Sequence, residues 1–490
     1  MSGRGARSVP SAAVPLAGIV GFLVCVELAS GVLQGFYTPI FTDIADRLSI
    51  AHGDVNWFEA AQLLVSALVV PVLSRLGDLV GHRAILLGST VVTALASWAV
   101  AFAPSFGTFL IAWALQGFYV VWLPLEVAII HRRTAGDERR TRGAAGILVG
   151  ALELGVIIAA LASGALVTSM SLTTVLMIPA VIVTLAAVAI YFGVHEPRTP
   201  GAARIDWRGF ALLTVALALL MAGLVVLRLT GPADLRPWIV IIAAAAIGVP
   251  FVRWELRATA PLVDLRVLGA RGQWPIQLTA FLFGASVLGA QIPLSTYART
   301  DPAVAGYGLG ASASTLSLLI GGYVLALAVG ALTYPLVARR TGSRSAMTGA
   351  AVLVGVGYLL FLPLHSGMGQ LTLNMVIAGL GSGALVAALP AAAVAAAPSG
   401  HSGFAAGMTN TTKTIGGAIA SSIFAIALAA TGSIQDVDER GIYPPFSGYL
   451  TVWTICGVTA LIAAVSLVAL ARGGEGASVP LAKGVVAGDK

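Results

Sequence analysis

The chain has 490 residues, of which 58% are hydrophobic and only 10% charged, whereas an ordinary soluble domain carries about 25% charged residues. That balance excludes a soluble globular enzyme, a nucleic-acid binder and a disordered scaffold. The net charge of +7 does not point to nucleic acid either, because the basic residues are spread between apolar runs, which is how membrane orientation is written.

A membrane helix needs about 20 apolar residues. Fourteen such runs follow one another, at roughly 14–41, 54–74, 83–103, 106–130, 143–168, 172–194, 209–229, 237–257, 272–297, 313–338, 345–364, 368–396, 404–430 and 449–471. None alternates as a β-barrel strand does, so the expected fold class is an all-α membrane protein. The first run follows Arg4 and Arg7, but it is too long for a signal peptide, contains Glu27 and has no small-residue cleavage site after it. It is read as the first spanning helix. With both ends in the cytoplasm, 23 Lys and Arg fall inside and 5 outside (Arg47, Arg228, Arg236, Arg299 and Arg440), the bias that the positive-inside rule expects. Cys25 and Cys456 lie within apolar runs and give neither a disulfide framework nor a zinc spacing. Arginine outnumbers lysine 25 to 3, a compositional sign of a high-GC bacterial gene and hence of a bacterial cell membrane.

The stretch Leu76–Arg83, L-G-D-L-V-G-H-R, has a counterpart in Val337–Arg344, V-A-R-R-T-G-S-R. Gly81 matches Gly342, and Arg83 matches Arg344. Each stretch follows the second helix of a six-helix set, as parallel repeats would require. The chain then divides into a tail (1–13), a six-helix bundle (14–194), a linker carrying two extra spans (195–271), a second six-helix bundle (272–471) and a tail (472–490). Pro197, Pro200 and Gly201 mark the start of the linker.

A carboxylate inside a membrane helix is costly and usually faces a cavity or a partner. Glu27 lies near the middle of the first span, on one stripe with Gly31, Gln34 and Thr38. It reads as a proton carrier or an anchor for a cation, or more plainly as an acid hydrogen-bonded to a neighbouring helix. Glu153 sits mid-way along the fifth span, with Gly146, Ala160 and Gly164 on its face. It is the second candidate for proton coupling, although such small residues also mark close helix packing. Glu59 and Glu126 read as acids of a solvated end or vestibule. Lys413 is read as entering its span from the inside and snorkelling. An ionised Glu27 or Glu153 would then lack a cation, so both are expected to rest protonated, and a cationic guest would compete with the proton. Gln34, Gln62, Trp113, Gln116, Gln277, Gln291 and Asn410 are the expected cavity residues, since amides and aromatic faces suit flat, amphipathic or cationic guests. Tyr119 and Trp122 are expected to point away from Trp113. The basic run His131–Arg142 reads as a topology signal in contact with lipid head groups. No phosphate loop and no H-E-x-x-H occurs, so no ATP drive, catalytic residue, metal or cofactor is expected.

At this point the residues resemble a known family. Ser74–Arg83, S-R-L-G-D-L-V-G-H-R, is similar to the loop signature G-x-L-A-D-R-x-G-R-R of the major facilitator superfamily. Leu76, Asp78, Gly81 and Arg83 match it, while Ser74 and Leu79 replace the usual Gly and Arg. The six-two-six layout resembles the fourteen-span drug/proton antiporter branch. So do Asp206-Trp207-Arg208-Gly209, Glu255 with Pro261–Arg266, Ala406–Lys413 through Gly416-Gly417, and Trp57. The likeness runs over about 15–470. The chain departs from the family in three elements tied to proton antiport. Trp113-Ala114-Leu115-Gln116-Gly117 lacks the arginine of R-x-x-Q-G, Ala159–Gly164 lacks the proline of G-P-x-x-G-G, and Ser30 stands where an Asp precedes Pro39.

The resemblance implies a major facilitator fold in which two bundles rock about a midplane cavity. It implies a gating loop at Asp78, Gly81 and Arg83, and export of small amphipathic or cationic compounds driven by protons. A monomer suffices for that mechanism. The altered signatures leave open an uptake carrier or facilitator for a metabolite. A non-transporting scaffold or sensor is the reading from another class, against which the short tails argue.

Overall fold

The computed structural model describes residues 16–134, 138–195, 205–259, 261–397, 402–429 and 442–472. Arg4, Arg7, the linker residues Pro197, Pro200 and Gly201, and Arg440, Lys483 and Lys490 lie outside them. The described residues form helices and no strand: α1 (Leu16–Gly35), α2 (Asn56–Val80), α3 (His82–Phe102), α4 (Phe106–Arg133), α5 (Glu138–Leu166), α6 (Leu172–Gly193), α7 (Trp207–Thr230), α8 (Arg236–Glu255), α9 (Trp274–Arg299), α10 (Ala313–Thr341), α11 (Ser343–Leu359), α12 (Met368–Ala396), α13 (Ser402–Leu428) and α14 (Phe446–Arg472). Thirteen segments are long and apolar enough to cross a membrane. The remaining one, α11, has 17 residues. Its hydrogen bonding continues past Leu359, with the amides of Leu360, Phe361, Leu362 and Leu364 donating to carbonyls three or four residues back. That brings it to about 33 Å, the reach of a span.

Lipid offers no partner to a free N–H or C=O, so helix ends must be closed locally. Ser105 caps α4 in a capping box with Thr108, and Ser171, Asp206 and Ser312 cap α6, α7 and α10. Three spans are interrupted. Past Gly35 the first continues through a 3-10 turn (Thr38–Ile40) into Phe41–Leu48, beyond its expected end at 41. α4 tightens to a 3-10 turn at Gly117–Val121. α9 breaks between Val287 and Gln291, with Gly289 at φ +79°.

One apolar core runs through α1–α6, from Ile19 to Val194, and a second runs through α9–α14. The two bundles meet where α2 packs on α13 and α5 on α10. α7 and α8 pack on each other and lie over the α2–α13 contact. Leu224 joins Trp57, Ala60 and Ala425 at one end, and Phe251 joins Val72 and Met408 at the other. The repeat read from the sequence has a backbone counterpart. Gly81 (φ 104°, ψ 135°) and Gly342 (φ 86°, ψ 146°) each end one helix and start the next, in a region that side-chain-bearing residues avoid.

Candidate functional site

At one end of the molecule the bundles are fastened together. Arg299 of α9 donates to Asp43 Oδ1 at 3.1 Å and to the Pro39 carbonyl at 3.3 Å. Ser295 donates to the Thr38 carbonyl at 2.7 Å, and the His52 amide donates to the Ile442 carbonyl at 3.0 Å. Ile292, from the second bundle, packs into the core of the first. On the α5–α10 side, Ser317 donates to the Ala160 carbonyl at 2.7 Å, and a Cβ on Gly164 would collide with Ala313 and Ser317. Along α5 toward Glu138 the contact is lost, for a Cβ at Gly143, Gly146 or Gly150 would meet no atom within 4 Å. The bundles are therefore shut at the Asp43–Arg299 end and stand apart along α5 toward the opposite end.

Behind this seal lies a cavity of about 390 Å³ between the bundles, within the size range of small-molecule sites. Its aromatic wall is Tyr37, Phe41 and Trp113, with the Tyr37 and Trp113 rings 4.6 Å apart at 68°. Of the residues expected there, Gln34, Gln62, Trp113, Gln291 and Asn410 line the cavity, as does Glu153. Gln116 and Gln277 do not. Gln116 is fully buried behind the wall and donates to Tyr37 Oη and Ser97 Oγ, both at 3.0 Å. Gln277 accepts from Thr412 Oγ1 at 3.0 Å and donates to the Ala405 carbonyl, which ties α9 to α13.

The charged residues depart further from expectation. Lys413 does not snorkel to the inner surface. It lies eleven residues into α13 and lines the cavity. Across the cavity its charge acts on Glu153 of α5, without the direct contact of an ion pair. Glu153 therefore does not lack a cation. Glu59 is no solvated end but a further carboxyl in the wall, and Tyr119, expected to point elsewhere, lines the cavity too.

Glu27 and Glu126 lie outside the cavity. Both are 0% exposed. Their carboxyl groups face each other between α1 and α4, near enough for each to feel the other's charge, and none of the four oxygens has a hydrogen-bond partner among the described residues. The stripe expected on α1 divides accordingly. Glu27 meets α4, Gly31 packs on the α5 backbone at Leu152 and Gly155, and Gln34 and Thr38 reach the cavity. Two carboxyl groups in contact cannot both be charged without a cation, so such a pair holds at least one proton.

In the last turn of α2, Asp78 faces His82 at 3.3 Å and Arg132 at 3.8 Å, which links the α2–α3 junction to the end of α4. Arg83 donates to the carbonyls of Tyr191 and Val194 at the C-terminal end of α6, where a helix dipole favours a cation. Gly81 makes the turn between them.

The Major Facilitator Superfamily profile matches residues 23–302, more than half of the chain. The chain is similar to the uridine/deoxyuridine transporter of Lactococcus lactis subsp. cremoris, with 29% identity over 277 residues that cover 55% of this chain and 56% of that protein. It is also similar to the tetracenomycin C resistance and export protein of Streptomyces glaucescens, with 24% identity over 471 residues, or 86% and 85% of the two chains. The crystal structure of the nucleoside transporter NupG superposes with a TM-score of 0.60 at 15% identity, covering 93% of this chain and 99% of that one, which establishes the shared fold. The chain belongs to the Major Facilitator Superfamily and is a multi-pass membrane transporter, not an enzyme.

Proposed function

We propose that this member of the superfamily is a secondary active transporter that exports small amphipathic compounds of the drug or secondary-metabolite type, by alternating access and in exchange for protons. The observation that carries the reading is the cavity between two bundles, closed at one end by contacts that both bundles supply and walled by aromatic rings and amides. The similarity to an antibiotic export protein over most of both chains supports the outward direction. Proton exchange is assigned to Glu153 in the cavity and to Glu27 with its partner Glu126. The positive-inside count places the Asp78 end and both termini in the cytoplasm of a bacterial cell, so that the cavity faces inward in this conformation. A single chain in contact with membrane lipid supplies both bundles and is the working unit.

The amide-rich wall and the likeness to a uridine/deoxyuridine transporter favour a second reading, uptake of a polar metabolite. Proteoliposomes with an imposed proton gradient separate the two. Export predicts that a flat amphipathic probe moves against the gradient, into the more acidic compartment. Uptake predicts that a nucleoside moves with the proton. Flux of neither under a gradient refutes proton exchange.

A further inference from the structure

The cavity wall sets a single basic side chain beside an aromatic surface. The polar atoms of Trp113 and Ser382 are buried behind it, with Ser382 beside the Tyr323 hydroxyl. The basic residue of the wall, Lys413, stands one helical turn from Asn410 on the same helix, and both reach the cavity. Its countercharge Glu153 lies on the other bundle and does not touch it. The ammonium therefore has room for an oxygen anion from a guest, and the aromatic wall of Tyr37, Phe41 and Trp113 offers the guest a flat surface. A cationic guest would meet Lys413 as a like charge.

We propose that the cavity binds flat organic acids, with a carboxylate or phenolate held by Lys413 and the ring body laid against Trp113. The proposal deepens the transport reading, since it rests on this cavity being the substrate site, and it turns the expected preference for cations into one for anions. Glu59 is the other ionisable group of the wall. With its proton on, it donates. With its proton off, it would favour a cation, and that outcome is one arm of the test.

The test is equilibrium dialysis of the full-length protein in detergent against three probes of one ring system: 2-naphthoate, 2-naphthamide and 2-naphthylmethylammonium. The expected order is naphthoate first, by about tenfold over the ammonium. Lys413→Gln should lower naphthoate affinity about tenfold and move naphthamide less than about twofold, and Lys413→Arg should restore most of the loss. Elution of each variant as a monodisperse peak guards against a misfolded sample. Tighter binding of the ammonium, an unchanged naphthoate affinity in Lys413→Gln, or no binding of any probe at millimolar concentration would each overturn the proposal. Because the assay needs no gradient, naphthoate binding by a protein that fails to export leaves the anion site standing and removes only the transport reading.

Discussion

Arg228 at the end of α7 grips Asp54 at the mouth of α2 with two hydrogen bonds, Nη2 to Oδ2 at 2.8 Å and Nε to Oδ1 at 3.1 Å, and the two side chains are 3% and 0% exposed. Trp57 Nε1 adds a third bond to the same carboxylate at 3.2 Å. The inserted helix pair is thus fixed to the first bundle by a buried, forked ion pair, the geometry in which arginine is not replaceable by lysine.

Removing one partner of such a pair strands a buried charge. Arg228→Met should therefore cost about 3–5 kcal/mol. The double variant Asp54→Asn/Arg228→Met should recover most of that loss. Thermal unfolding in detergent, followed by loss of the monodisperse peak, reads both. A single variant as stable as the parent would mean that the inserted pair is held by its apolar contacts alone.

The Glu27–Glu126 pair sits behind the cavity wall, so its chemistry should separate from binding. Glu27→Gln and Glu126→Gln should each lose gradient-driven transport by more than about tenfold while probe affinity changes less than about twofold. An amide can still hydrogen-bond the remaining acid, so the fold should survive. Affinity and transport falling together would place the pair in the substrate site instead.

The Arg299–Asp43 bridge is partly exposed and worth at most about 1 kcal/mol. Arg299→Ala should therefore open the sealed end only modestly, raising the accessible population up to about fivefold. In a Cys25→Ser background, a Gln34→Cys reporter labelled by an impermeant maleimide from the Asp43 side would show it. A rise of a hundredfold or more would mean that the other contacts, Ser295 to Thr38 and Ile292 in the opposite core, hold nothing shut.

Gly81 and Gly342 occupy the same unusual backbone region in equivalent loops. Alanine at either should cost about 1–3 kcal/mol. The two costs should add in the double variant, since the residues belong to different bundles. Unfolding midpoints of the three variants test this. A neutral Gly342→Ala would show that the second loop can rearrange where the first cannot.

The apolar spans and the cavity-lining amides Gln34, Gln62, Gln291 and Asn410 were legible because apolar runs and single polar residues carry that signal directly. The errors came from treating each span as a straight α-helix. On a regular helix Tyr119 lies about 120° from Trp113. The 3-10 turn at Gly117–Val121 advances about 120° per residue, which brings Tyr119 within about 60° and into the cavity. A helical stripe also meets different neighbours at different depths, because packed helices cross. That is why Glu27 and Gln34 share a stripe and not an environment. The Glu27–Glu126 contact joins residues on separate helices and has no local signature. Lys413 reads as a snorkelling residue near the inner end of its span, because nothing in its own helix announces the carboxylate on α5.

The inserted pair makes the two flanks of the bundle boundary unlike. Along α2 and α13 the boundary is backed by α7 and α8. Along α5 and α10 no further helix among the described residues backs it, and it parts toward Glu138. A book bound along one edge opens only along the other. The motion that exposes the cavity should be a swing about the α2–α13 spine with its widest travel at α5 and α10, and a guest dissolved in the surrounding bilayer would find its doorway there.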